Sequence, residues 1–305
     1  MRHLITLNDI TADEMEQILA LAEDLKAKYV RGIREPLFPG RTLALIFEKQ
    51  SLRTRVSFEA GMMHLGGGSM YLGADVGFGK RESMSDFGRV LGELIDLVVI
   101  RSKSHQTVVD LAAHCTCPVI NGLTDEAHPC QALADLFTLR EVSGGSLKGK
   151  TVTWVGDANN VATSLIRACA KAGMKVVMAT PKAYQYPDSV LESLHAESPG
   201  LDLAVTEDPV AAVKGTMAIY TDVWASMGQE AEEAERKKAF ADYQVNAALM
   251  ANAPGDAVFL HCLPAKRGQE VTDEVIDSPQ SVVVQQAGNR MHAQKGVLAW
   301  LLGMK

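Results

Sequence analysis

The chain has 305 residues, of which 47% are hydrophobic, and a formal net charge of −7. That is enough apolar material for a full core, and the length favours two domains over one. An acidic chain with no basic block argues against a nucleic-acid surface, and no run approaches the roughly 18 uninterrupted apolar residues of a membrane helix.

The start, MRHLITLNDITADEM, lacks the apolar stretch of a secretory signal. Cys115, Cys117, Cys130, Cys169 and Cys262 are odd in number and follow no zinc spacing, which fits buried thiols in a reducing, cytoplasmic protein. Thr11 with Glu14 reads as a capping box. Met15, Ile18, Leu19, Ala22 and Leu25 then follow at helical spacing. Short apolar strands are expected at Leu43–Phe47, Leu97–Ile100 and Pro118–Ile120, with helices near 52–65 (Val56, Ala60 and Met63 at helical spacing), 83–95 and 105–114.

After SGGSLKGK, residues 143–150, the cycle restarts. Strands are expected at Val152–Val155, Lys175–Ala179, Leu201–Val205, Met217–Tyr220 and Val258–Leu260, alternating with helices. This pattern predicts two α/β domains, each a parallel sheet flanked by helices, divided at the Gly/Ser/Lys stretch into residues 1–145 and 150–287. A terminal helix, with residues 288–305, is expected to return to the first domain. The run EAEEAERKK, residues 230–238, reads as a solvated helix face.

Ligands of open parallel sheets gather beyond the carboxyl ends of the strands. Behind Phe47 come Ser51, Leu52, Arg53, Thr54 and Arg55, two arginines among hydroxyls where a helix begins, with no carboxylate among them. Arg101 ends the next strand, and NGLTDEAHPCQ, with His128 and Gln131, follows Ile120. In the second half the strands lead into GDANN, TDVWASMG and HCLPAKRG. A lone His or Arg is most often a cap or an ion-pair partner, but six strand ends agreeing point to a site.

SLRTRVSFE, HPCQALADL, TDVWASMGQE and HCLPAKRGQEVTDEV resemble, in order and over essentially the whole chain, the signature segments of the aspartate/ornithine carbamoyltransferase superfamily, ornithine branch. The resemblance implies an enzyme that transfers the carbamoyl group of carbamoyl phosphate to the side-chain amine of L-ornithine, giving L-citrulline and phosphate. It further implies a first domain for carbamoyl phosphate, a second for ornithine, an active site in the cleft and a homotrimer or a multiple of trimers, with no cofactor and no metal.

Residue by residue, it assigns carbamoyl phosphate to Ser51, Leu52, Arg53, Thr54, Arg101, His128, Gln131, Cys262, Leu263 and Arg290. Ornithine falls to Asn160, Asp222, Ser226 and Met227. Arg101, His128 and Cys262 are the expected catalytic residues: the first two polarise the carbonyl, and the thiol orients and deprotonates the attacking amine. A glycine-containing loop at Ser226 to Gly228 is placed to close over the substrate. Arg55 either braces against Glu59 or Glu82 or touches ligand.

Two positions depart from the family pattern. Leu52 replaces a threonine, losing a hydroxyl but keeping the backbone N–H. Gly77 stands where the family usually carries a Gln or His that reaches a neighbouring subunit's phosphate, a role Lys80 or Arg81 could take. Carbamoyl transfer to putrescine or an N-acylated ornithine is the alternative within the family. A non-catalytic binding protein on the same fold is the alternative outside it. GDANN lacks the later glycines of a dinucleotide fingerprint, so a dehydrogenase is disfavoured.

Overall fold

A computed structural model describes residues 1–73, 76–79, 81–225 and 229–304. The chain divides into two compact units, Met1–Phe137 with Gly288–Lys305, and Thr138–Ala287. No helix among the described residues is long and apolar enough to cross a membrane.

In the first unit α1 (Ala12–Val30) starts at the reciprocal Thr11–Glu14 capping box and buries Met15, Ile18, Leu19, Ala22 and Leu25. There follow β1 (Thr42–Phe47), α2 (Leu52–His64), β2 (Gly68–Leu72), α3 (Met84–Leu94), β3 (Leu97–Arg101), α4 (His105–His114), β4 (Val119–Leu123) and α5 (Pro129–Ser143). The strands form a parallel sheet in the order β2-β1-β3-β4. All five residues of β3 are buried, the continuous run of a strand covered on both faces.

The second unit contains β5 (Thr151–Val155), α6 (Asn160–Lys171), β6 (Lys175–Ala179), α7 (Asp188–Glu197), β7 (Asp202–Thr206), α8 (Pro209–Ala212), β8 (Ala218–Thr221), α9 (Glu233–Ala239), α10 (Ala247–Met250), β9 (Val258–His261) and α11 (Asp273–Ile276). Its sheet is parallel in the order β7-β6-β5-β8-β9. The last helix, α12 (Val283–Leu301), passes from the second unit into the first at Gly288. Its later part packs on α1 and α2. Lys26 Nζ donates to Asn289 Oδ1 at 2.7 Å, and Lys295 Nζ to the Leu25 carbonyl at 3.2 Å.

Three readings change. Strand β2 had no counterpart in the sequence, because it is an edge strand with exposed residues and is held by backbone pairing to β1 rather than by burial. Helix α2 forms as expected, but it buries Thr54, Ser57, Phe58, Gly61 and Met62, whereas Val56 and Met63 are 51% and 71% exposed. Ser57 is tolerated inside because its hydroxyl donates to the Arg53 and Thr54 carbonyls. The run at 230–238 is not a wholly solvated face: Arg236 is buried and paired with Asp157 at 3.0 Å and Glu232 at 2.9 Å.

Candidate active site

Phe47 and Arg101 are register partners, so β1 and β3 end side by side. Ser51 sits in extended conformation as the N-cap of α2 and accepts from the Thr54 amide at 3.3 Å. The Thr54 amide is therefore occupied. The backbone donors left at this helix start are those of Leu52 and Arg53. The Leu52 side chain is 75% exposed, so only its backbone faces this role.

Thr54 Oγ1 accepts from Ser51 Oγ at 3.0 Å and from Arg290 Nη2 at 2.7 Å. A hydroxyl has two lone pairs and one proton. With both lone pairs filled, the Thr54 proton is left for an acceptor outside the chain. Arg53 is half-buried, and no carboxylate among the described residues pairs with it. Arg55 resolves to a brace, with Nε on Glu59 Oε1 at 3.1 Å and its guanidinium 4.0 Å over the Tyr71 ring centroid.

Arg101, His128 and Arg290 are all buried. Burial first, then the charges of Arg290 and Arg101, hold the His128 imidazole well below its usual pKa and hence neutral. Its carbonyl accepts from Gln131 N and Ala132 N at the start of α5. Gln131 gives its amide N–H to Asp135 Oδ1 at 2.8 Å, while its side-chain oxygen is buried with no partner among the described residues. That oxygen is an acceptor available for an incoming N–H. The first unit thus offers backbone amides, a hydroxyl proton, guanidinium groups, a neutral imidazole and one buried acceptor.

In the second unit, Thr221 pairs with His261 in register, so Asp222 and Cys262 follow neighbouring strand ends. Cys262 Sγ donates to Asp222 Oδ1 at 3.0 Å. The same oxygen accepts from the Val223 amide at 2.8 Å, and Oδ2 accepts from Asn159 Nδ2 at 2.9 Å. No cation among the described residues pairs with this buried carboxylate.

Asn159 is the N-cap of α6, its Oδ1 taking the Val161 and Ala162 amides. Asn160 follows as the first helical residue. Asn159 was missed in the sequence, although an Asn ahead of a helical run is a capping signal. Ser226 and Met227 lie outside the described residues, as does Lys80.

Leu263 has φ of 55°, a left-handed conformation costly for a side-chain-bearing residue. His261 holds it there: Nδ1 accepts the Leu263 amide at 2.8 Å, and Nε2 lies 3.3 Å from buried Glu270 Oε1. Asp222, His261 and Cys262 bring donor atoms within 4.8 Å of one another, as a metal site would. Yet both ring nitrogens of His261 are engaged and the thiol proton is committed to Asp222, so a metal would have to break these bonds. At Gly77 φ is +67°, and an added Cβ would lie 2.5 Å from Arg81 Cδ. A glutamine is therefore strained at this position.

Residues 2–141 match the family model described as aspartate/ornithine carbamoyltransferase, carbamoyl-P binding domain, and residues 148–301 match its Asp/Orn binding domain. The chain is 50% identical to the ornithine carbamoyltransferase of Carboxydothermus hydrogenoformans, covering 99% of this chain and 98% of the relative. It is 51% identical to the anabolic ornithine carbamoyltransferase of Pyrococcus furiosus, covering 99% and 96%. The solved structure of ornithine carbamoyltransferase from Pyrococcus furiosus superposes with a TM-score of 0.94 at 51% identity, covering 100% of this chain and 98% of that one. That from Thermus thermophilus gives 0.88 at 42%, covering 99% of each.

Proposed function

The chain belongs to the aspartate/ornithine carbamoyltransferase family, and from that premise we propose that it transfers the carbamoyl group of carbamoyl phosphate to the side-chain amine of L-ornithine, giving L-citrulline and phosphate. The phosphate dianion is taken by the Leu52 and Arg53 amides and the Arg53 guanidinium at the positive end of α2, which Ser51 caps. Arg101, neutral His128 and the Thr54 proton face the carbonyl oxygen, where attack builds negative charge. One such donor is typically worth about 3–4 kcal/mol in the transition state. The amide nitrogen of the carbamoyl group donates to the Gln131 side-chain oxygen. Arg290 holds Thr54 in place and adds positive charge, and the Cys262–Leu263 backbone completes the carbamoyl end.

At the second substrate, Asp222 pairs with the α-ammonium, while Asn160, Ser226 and Met227 take the amino-acid end. Cys262 accepts an N–H from the attacking amine and so orients it in its neutral form, with no covalent intermediate. The observation that carries the ornithine assignment is the Asp222–Cys262 contact. A buried carboxylate that no cation among the described residues pairs with stands beside the thiol that is to meet the amine. A buried carboxylate deprived of its partner costs about 3–5 kcal/mol, so N-acylated ornithines, which lack an α-ammonium, fit poorly; putrescine keeps an ammonium at that place but brings no α-carboxylate for Asn160, Ser226 and Met227. Two of the related enzymes are called anabolic, which supports the citrulline-forming direction.

The five free cysteines support a reducing, cytoplasmic setting. Leu52, Val56 and Met63 on α2 and Met70 on edge strand β2 expose apolar side chains, which supports self-association as a homotrimer or a multiple of trimers. The activity test is direct: the purified chain with carbamoyl phosphate and L-ornithine should release citrulline and phosphate in equal amounts. Phosphate release without citrulline would reject the amine assignment.

A further inference from the structure

Asp157 and Asp222 stand just beyond β5 and β8, which are hydrogen-bonded neighbours in the second unit's sheet. Two carboxylates at adjacent strand ends attract cations without discrimination. Among the described residues a cation pairs with Asp157 and none with Asp222. The buried Arg236 places Nη1 3.0 Å from Asp157 Oδ2, donates from Nη1 to the Trp224 carbonyl at 3.0 Å, and donates from Nε to Glu232 Oε2 at 2.9 Å. Its guanidinium also lies 5.0 Å over the Tyr184 ring centroid, so it is fixed from several sides. Burial raises the Asp157 carboxyl, Arg236 lowers it, and the charges of Asp222 and Glu232 raise it again, so the two aspartates sense each other. Glu232 is largely exposed and screened by solvent.

We propose that Arg236 determines which amine is accepted. By neutralising Asp157 it leaves Asp222 as the one carboxylate at these strand ends able to take an ammonium, so an amine bearing its own carboxylate is admitted and a dicationic diamine is not. Arg236 does not touch substrate; it acts through Asp157. The proposal rests on the carbamoyl-transfer reading above and adds the electrostatic source of its selectivity. It makes a prediction that a purely structural role does not share. Removing the guanidinium adds net negative charge beside Asp222, favouring a diamine and repelling an α-carboxylate. Removing the Asp157 charge does the opposite.

The test is the ratio of kcat/KM for L-ornithine to that for 1,4-diaminobutane at saturating carbamoyl phosphate. Where diamine turnover is too slow to follow, its inhibition constant against ornithine replaces it. Arg236→Gln should lower the ratio about tenfold, the order expected for one nearby charge acting through an effective dielectric near 20 once partly screened. Asp157→Asn should raise it, and the double variant should return to within about threefold of wild type. Single variants that shift the ratio in the same direction, or leave it unmoved, overturn the proposal. If Arg236→Gln does not fold, Asp157→Asn alone decides, a fall or no change being the contrary result. Wild-type turnover with neither amine would overturn the underlying reading and this proposal with it, whereas turnover with an unmoved ratio overturns only this proposal.

Discussion

Thr54 shows how a single side chain becomes directional. Its two lone pairs are filled by Ser51 and Arg290, which leaves its proton as the outward-facing group. Arg53 beside it pairs with no carboxylate among the described residues, and we assign it to the phosphate. Replacing Arg53 by lysine retains charge but loses the planar fork, so carbamoyl phosphate affinity measured by calorimetry should fall about 10-fold or more. Unchanged affinity would remove Arg53 from the site. His128 gives a pH signature. Its depressed pKa means that below about 6.5 the unfolded chain takes up a proton that the native chain refuses. Stability from this group is therefore complete above about pH 6.5 and declines as pH falls, and His128→Asn should flatten that part of the denaturant-midpoint profile. Arg53, Arg101 and His128 were legible because each follows a strand and breaks an apolar run. Arg290 was named only by resemblance, since its contact with Thr54 spans 236 positions and no local spacing encodes it. Asn159 went unread because its amide does two jobs at once, capping α6 and steadying Asp222.

Elements were legible where burial and propensity agree. The runs that became β3 and β9 are wholly buried, and their apolar residues announced them. Strand β2 was invisible because an edge strand opening with Gly68-Ser69 gains its place from backbone pairing. The buried face of α2 was misplaced for a related reason. Apolar Val56 and Met63 are exposed, while Ser57 and Gly61 face inward, Gly61 because Lys295 of α12 packs close to it. Close helix packing recurs at Gly296, where an added Cβ would come 2.4 Å from the Ile18 carbonyl of α1. Gly296→Ala should therefore destabilise the protein by about 1–3 kcal/mol. Because α12 also carries Arg290, carbamoyl phosphate binding should weaken alongside it. A thermal midpoint equal to wild type would show that the helices do not approach this closely. At Gly77 the left-handed backbone alters an expectation drawn from the family pattern. Gly77→Gln should lower stability by about 1 kcal/mol, so a carbamoyl phosphate affinity below wild type in that variant would report strain rather than a misplaced donor.

Over the whole molecule, the chain is two parallel-sheet units, each with its chemistry beyond its strands' carboxyl ends, as open α/β sheets dictate. Hydroxyl, guanidinium and amide donors lie in the first unit, and the second holds a thiol beside a carboxylate that no cation among the described residues pairs with. Repetition of strand and helix in the sequence was enough to read both sheets. Charge compensation was not, because whether an acidic side chain is spent on an arginine depends on contacts distant in sequence. Asp157 and Asp222 look alike in the sequence, each just beyond a strand, and the fold separates them. On the proposed function, Asp222 selects ornithine by its α-ammonium. This is tested most directly by kcat/KM for L-ornithine and N-acetylornithine with carbamoyl phosphate, in wild type and in Asp222→Asn. Ornithine should be preferred by wild type by at least about 100-fold, as expected when a buried carboxylate is left without its cation, and Asp222→Asn should lose most of that preference. Equal rates for the two amines in the wild-type protein, or an undiminished preference in Asp222→Asn, would contradict it.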